Sequence, residues 1–113
     1  MYEPSRVLAT FYIAGFQFGE GALVLDALKP GMRLQMVAEP DNPHDSSAIA
    51  LYFEGKRLGY IPADHNELFA VMMHYGHADA FECVVQQVAL ERSPWHQVRA
   101  AVYVADSRSS TGR

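Results

Sequence analysis

Cysteine is nearly absent from this chain: Cys83 is the one cysteine among 113 residues. A single cysteine allows neither an intramolecular disulfide nor a cysteine-based zinc cluster, and it suits a reducing compartment, so we expect a cytoplasmic protein. Long apolar runs are also lacking, because the stretch 7–16 is too short to span a bilayer and contains Thr10 and Gly15. Arg6 alone is a poor signal-peptide n-region. We therefore expect no membrane segment and no secretion.

Basic residues are few as well. The chain has 9 Lys and Arg against 13 Asp and Glu, with a formal charge of -4. Proteins that bind duplexes normally draw affinity from many Lys and Arg contacts to phosphates, so any nucleic-acid contact should be small and local. No glycine-rich loop with Lys-Ser/Thr is present, which excludes a P-loop ATPase, and no serine or cysteine stands beside a recognisable base.

The apolar residues that are present suffice for one core. Half of the residues are hydrophobic and the chain is short, so we expect a single small domain over residues 1–105. Residues 106–113 are small and polar, and we expect a disordered tail there.

Alternating apolar residues and turn signals predict six short strands and two short helices, in the order β-α-β-β-β-α-β-β. The fold class is mainly β (α+β), and a small barrel is favoured because closure hides sheet edges. The predicted strands cover 7–16, 32–38, 48–53, 56–61, 81–90 and 97–105, and the first helix covers 22–28. The second helix should begin with a capping box of Asp64 and Glu67, and its inward face should carry Leu68, Phe69, Met72 and Tyr75.

Two motifs stand out between the predicted strands. The first is EPDNPHDSSAI at 39–49, and the second is LGYIP at 58–62. Prolines fix φ in the first motif, and Asn42 and Asp45 have side chains that accept hydrogen bonds from backbone N–H groups. Two interpretations remain open: the segment only connects two strands, or its rigidity presents Asn42, His44 and Asp45 as a preorganised polar patch.

In this combination the motifs resemble the HIRAN domain family over about residues 7–76, and the chain is similar to free-standing bacterial members. The resemblance implies a modified OB-like barrel, which is a small six-stranded barrel of OB-like or SH3-like type. It also implies that this barrel captures the 3′ end of single-stranded DNA, as in fork-remodelling helicases. DNA repair or replication-fork processing would follow. It also implies that Asp45 accepts a hydrogen bond from the terminal 3′-hydroxyl and that Asn42 helps to hold the end nucleotide. A carboxylate repels a 3′-phosphate, so such ends should be rejected.

The resemblance extends to further candidate DNA-binding residues. His44 and Tyr60 occupy positions at which the family has planar side chains, and Phe18 matches a family aromatic that stacks on a base. The family pattern is broken where an arginine is replaced by Gln17, a tyrosine by Gly19 and a lysine by Ala63. Candidate substitutes for the lost phosphate contacts are Arg33, Lys56 and Arg57. Trp95 is a stacking candidate by position only, and burial is the ordinary fate of a tryptophan.

Two alternatives belong to other functional classes. The first is a protein-interaction or regulatory module that docks a partner through the barrel surface or the face with Met72, Met73 and Tyr75. The second is a metal-dependent nuclease using Glu39, Asp41 and Asp45, which would need carboxylates from other strands and a basic residue. His74 and His77 are interpreted as a surface pair. We expect no cofactor, no metal and no enzymatic activity; the expected partners are a single-stranded DNA 3′ end and a helicase or nuclease protein.

Overall fold

The computed structural model describes residues 3–108, so residues 109–113 of the expected disordered tail lie outside it. Within that range all neighbouring strands are antiparallel, in the sheet order β1-β6-β5-β2-β3-β4. The predicted fold class and element order are confirmed. The strands are β1 (Val7–Tyr12), β2 (Arg33–Ala38), β3 (Ile49–Phe53), β4 (Lys56–Tyr60), β5 (Phe81–Val88) and β6 (Val98–Val104).

The sheet curls until its two edges meet at one bridge. Beyond β1, Ala14 exchanges two backbone hydrogen bonds with Tyr60 at the end of β4, both 2.8 Å long. Further on, the Glu20 N–H donates to the Arg57 carbonyl at 2.7 Å. The predicted first strand ends early, at Tyr12, because the chain turns through Gly15 (φ 69°) into a 3-10 turn at Phe16–Phe18. The segment after β1 thus closes the barrel against β4.

The hairpin between β3 and β4 was predicted correctly, including its two-residue turn. Glu54 and Gly55 both have positive φ, of 49° and 82°. That combination is the type I′ geometry whose twist matches the flanking strands. The turn pairs Phe53 with Lys56 and Tyr52 with Arg57, and a β-bulge between Leu51 and Tyr52 then brings Tyr60 opposite Ala50.

The helices differ in detail from the predictions. Helix α1 spans Gly21–Val24 and continues as a 3-10 turn at Leu25–Ala27, whereas one helix over 22–28 was expected. Helix α2 spans Ala63–His74. The predicted capping box is wrong: Pro62 is the N-cap, and no side chain bonds to the first turn.

The predicted inward face of α2 is only partly correct. Phe69 is buried and packs edge-on against Phe81 with the ring centroids 5.0 Å apart. Leu68 and Tyr75 are exposed instead, and Asn66 takes an inward position. The helix is therefore rotated toward the stripe formed by Asn66, Phe69 and Met73.

The core fills the interior of the curled sheet. Its largest fully buried side chains come from strands β3 to β6 and from the residues that directly follow β1 and β4, namely Ile13, Ile49, Leu51, Leu58, Ile61, Val85, Val98 and Val102. Each fully buried Val, Leu or Ile contributes roughly 1.5–3 kcal/mol relative to an exposed one. Cys83 is buried among them, and burial raises the pKa of its thiol to about 12. This thiol is therefore protonated and unreactive at neutral pH.

Glycine at position 59 is required by the closure of the barrel. A Cβ built on Gly59 would lie 2.3 Å from the carbonyl oxygen of Ala14, which is one of the bridging atoms, and φ is +157°. A backbone oxygen held in a bridge cannot move aside cheaply. The glycine of the second motif is thus explained by packing.

Gly59→Ala should therefore lower the free energy of unfolding by about 3 kcal/mol, through overpacking and loss of the bridge. Gly31→Ala is the matched control, because Gly31 also has positive φ (94°) but meets no atom within 4 Å. It should cost only about 1 kcal/mol of backbone strain. Urea unfolding of both variants measures the two losses, and equal losses would contradict a steric role for Gly59.

Candidate functional site

The turn between β2 and β3 is held rigid by its own hydrogen bonds. At its base the Glu39 N–H donates to the Ala48 carbonyl at 2.8 Å. Inside it, Asn42 Oδ1 accepts from the N–H groups of His44 (2.9 Å) and Asp45 (3.2 Å). The predicted Asx-type turn at Asn42 is confirmed. This turn, residues 39–48, presents its side chains from a fixed backbone.

Asp45 is the best-anchored acid of the turn. Its Oδ1 accepts from the Ser47 N–H, and its Oδ2 accepts from Asn66 Nδ2, both at 2.8 Å. These bonds hold the pKa of the Asp45 carboxyl below its usual 3.8, the bond from Asn66 being the larger cause and that from Ser47 the smaller. Because a carboxylate oxygen has two lone pairs, Asp45 retains capacity for a further donor.

Asn66 was not predicted from the sequence as a residue of the site. It is 3% exposed and is the one buried polar residue within the described range 3–108. A polar residue in a helix is normally assigned to solvent, and the capping-box interpretation had placed the helix start wrongly. Its spacing from Phe69 and Met73, three and seven residues on, was the available signal, because these positions share one helical face.

Tyr60 is tied to the turn through Glu39. The Tyr60 hydroxyl donates to Glu39 Oε1 at 2.8 Å, and Asn42 Nδ2 donates to the same oxygen at 3.1 Å. Arg57 Nη1 donates to the Tyr60 hydroxyl at 3.3 Å, with the guanidinium 5.7 Å from the centre of the ring. Partial burial, followed by the bond to Glu39, raises the pKa of Tyr60. This network fixes the ring beside the turn.

These residues surround an open cleft with two compartments. The first compartment has a volume of about 300 Å³, and Asn42, His44, Asp45, Tyr60 and Asn66 line it above an apolar floor of Ala14, Ala48, Ile61 and Ala63. The second, of about 580 Å³, shares Asn42 and Tyr60 and adds Arg57 and Glu39. Small apolar floors with a few oriented polar groups are typical of ligand sites.

The loop aromatics lie on neighbouring turns outside these compartments. Phe18, at the end of the Phe16–Phe18 turn, is 81% exposed, and Gln17 beside it is also exposed. That turn packs against the Pro94–His96 turn, on which Trp95 is 54% exposed. The ordinary expectation of a buried tryptophan does not hold here, so two exposed aromatic residues stand on adjacent turns.

Of the three candidate phosphate contacts, only Arg57 reaches the cleft. Arg33 lies at the far end of β2 from the turn and forms an ion pair with Glu82 at 3.1 Å. Lys56 lies next to the hairpin turn, at the far end of β4 from Tyr60.

Gly19 has a steric explanation. A Cβ there would lie 2.7 Å from the Arg57 carbonyl oxygen and 3.0 Å from that of Leu58. An aromatic residue does not fit at this position while the segment closes against β4.

Within residues 3–108, no three His, Cys, Asp or Glu side chains come together as a metal site would require. Glu39, Asp41 and Asp45 thus form no such group. Over the same range, no helix has the length and apolar character needed to cross a bilayer.

The family model of the HIRAN domain matches residues 7–105. The chain belongs to the HIRAN domain family. This family is one of nucleic-acid-binding domains that are generally non-catalytic. No curated protein matches the chain.

Two solved structures share the HIRAN fold. A protein from Lactobacillus plantarum has a TM-score of 0.73 at 20% identity, with 89% of this chain and 95% of that chain covered. The HIRAN domain of human HLTF has a TM-score of 0.60 at 16% identity, with 93% of this chain and 84% of that chain covered. At these identities the likeness establishes the fold.

The hydrogen bonds to Asp45 predict that the folding stability of this HIRAN domain falls in acid. Because the folded pKa lies below 3.8, ionised Asp45 stabilises the fold above that pH, and the contribution is lost as the pH falls through the folded pKa. Asp45→Asn turns an amide toward Asn66 Nδ2 and should lower Tm at neutral pH. The gap to wild type should narrow in acid, as measured by calorimetry across pH; a gap that is constant with pH would contradict this.

Proposed function

We propose that the cleft binds the 3′ end of single-stranded DNA, with Asp45 accepting a hydrogen bond from the terminal 3′-hydroxyl. The observation that carries the proposal is the state of Asp45: an anchored carboxylate with free acceptor capacity, lining an open compartment beside Tyr60. The match to a nucleic-acid-binding family supports the class of ligand.

Hydroxyl recognition follows from the chemistry of a carboxylate. An ionised carboxylate can only accept, so it pairs with a hydroxyl, and it repels a terminal phosphate. The lowered pKa of Asp45 keeps it ionised throughout the physiological range. A 3′-phosphate in the same place would meet Glu39 and Asp41 nearby in the turn as well.

The other cleft residues have distinct roles in this proposal. Tyr60 and His44 offer planar surfaces to the terminal nucleotide above the alanine floor. Asn42 already uses its oxygen on the turn backbone and one amide hydrogen on Glu39, so it chiefly shapes the turn and has one N–H left for the nucleotide.

Preceding nucleotides would stack on Phe18 and Trp95. Stacking on an aromatic contributes roughly 1–3 kcal/mol per base and is independent of sequence. It therefore supplies affinity that a protein with a charge of -4 does not obtain from phosphates. Gln17 would contribute a polar contact beside Phe18, and Arg57 the one cleft contact to a phosphate. Arg33 and Lys56 would act only on a longer strand.

A module of this kind fits DNA repair or replication-fork processing in the cytoplasm, beside a helicase or nuclease partner. A second candidate is docking of a partner protein, favoured by the exposed Leu68 and Val71 on α2 and by the exposed Tyr75, which is the C-cap of that helix. The exposure of Phe18 and the position of Tyr60 in an open cleft favour DNA, because a module without a DNA pocket would have those rings buried.

Fluorescence anisotropy of a labelled ten-nucleotide strand tests the proposal. Wild type should bind a 3′-hydroxyl end at least about tenfold more tightly than a 3′-phosphate or a blocked duplex end, since a hydrogen bond to a charged group is worth 1.5 kcal/mol or more. Asp45→Asn should remove most of that difference. Because Arg57 is the one Lys or Arg that lines the two compartments, the affinity should depend only weakly on salt. Equal binding of all ends would contradict end capture.

The stacking surface predicts a separate loss of affinity. Phe18→Ala and Trp95→Ala should each weaken binding about five- to hundredfold, without changing the preference for the hydroxyl. Leu68→Ala is the control, because it removes an exposed apolar side chain from α2. An affinity unchanged in both aromatic variants would show that the strand takes another path.

A further inference from the structure

We infer that Asn66 is a positioning residue that fixes the Asp45 carboxylate with a free lone pair toward the cleft and so sets the preference for a 3′-hydroxyl. The inference rests on the proposed function, since it concerns the same site. Nothing in the sequence motifs points to Asn66, which comes from α2 and lies outside both of them.

The geometry gives Asn66 a role that no local contact can replace. Asp45 makes two hydrogen bonds: the one to Ser47 lies within the turn, and the one from Asn66 Nδ2 joins the turn to α2. A carboxylate only accepts, so the amide nitrogen must face Asp45. With Asn66 removed, Oδ2 has no donor among residues 3–108, and the side chain retains the bond to its own turn.

Asn66 is itself held firmly. It is 3% exposed, lies on the first half of α2 and shares its buried face with Phe69. A buried side chain with a fixed backbone has few rotamers, so its amide is already placed before a ligand arrives. A mobile surface donor, such as a lysine, would not define the direction of the carboxylate in this way.

The surroundings of Asp45 determine how the inference is tested. Two titratable groups line an opening together with Asp45 and Asn66, namely His44 from the turn and Glu67 from α2. Tyr60 lines the first compartment with Asp45, and its hydroxyl donates to Glu39. A change of charge near the cleft would act on both DNA ends alike, so the informative quantity is a ratio. We use the Kd for a 3′-deoxy end divided by the Kd for a 3′-hydroxyl end, because these two ends differ by one oxygen atom.

Three variants separate positioning from folding. Asn66→Ala removes the donor. Asn66→Asp replaces the donor with a carboxyl group that donates only when it carries a proton. Asp64→Asn is the control, since it changes an exposed carboxylate of the same helix that has no contact with Asp45.

We expect the ratio to fall about tenfold in Asn66→Ala, as for loss of a charge-assisted hydrogen bond, and to stay at the wild-type value in Asp64→Asn. In Asn66→Asp the ratio should be low at neutral pH, where two carboxylates repel. It should recover in acid, when the pair shares a proton and the introduced group donates to Asp45. The wild-type ratio should not vary over that range, because Asp45 remains ionised.

A second readout does not involve DNA. Carbon-13 NMR of the Asp45 carboxyl should give a higher pKa in Asn66→Ala than in wild type, and an unchanged pKa would overturn the inference. It would also be overturned by a raised pKa with an unchanged ratio, or by an Asn66→Asp ratio that acid does not restore. A wild-type protein with no preference for the hydroxyl would overturn both the proposed function and the inference, and failure of the variants alone would overturn only the inference.

Discussion

Two backbone hydrogen bonds between Ala14 and Tyr60 are the constraint on which this structure depends. They join the edges of the curled sheet, and they place Ala14 and Tyr60 together in the cleft. They also explain Gly59, which is the residue that lets the two backbones approach. The segment that continues from this bridge carries Phe18, so the closure of the barrel and the arrangement of the candidate DNA surface have one origin.

The cleft is lined by hydrogen-bond acceptors more than by cationic side chains. Glu39 binds Tyr60 and Asn42, and Asp45 is bound by the turn and by Asn66. In the proposed function such a site recognises a hydroxyl donor and gains little from long phosphate backbones, which agrees with the acidic balance of the chain. The same proposal assigns the affinity to stacking on Phe18 and Trp95, whose rings are exposed.

The sequence predicted the strands well because alternation and turn residues are local signals. The hairpin at Glu54-Gly55 and the Asx turn at Asn42 depend on a few adjacent residues and were correct. Predictions that depended on tertiary contacts were weaker. The buried face of α2 depends on the angle at which the helix meets the sheet. Arg33 forms an ion pair with Glu82 on β5, a strand that is distant in sequence but adjacent in the sheet. The spacing of Asn66 indicated its place on the buried face of α2, but its bond to Asp45 could not be predicted, since that partner lies 21 residues away.

The most direct measurement is a crystal structure of the protein with a short single strand bearing a free 3′-hydroxyl. Our account predicts that the terminal hydroxyl lies within hydrogen-bond distance of the Asp45 carboxylate, that the Asn66 bond to Asp45 is retained, and that the last nucleotide occupies the compartment beside Tyr60. A strand bound by its 5′ end, or one seated away from this cleft, would contradict it.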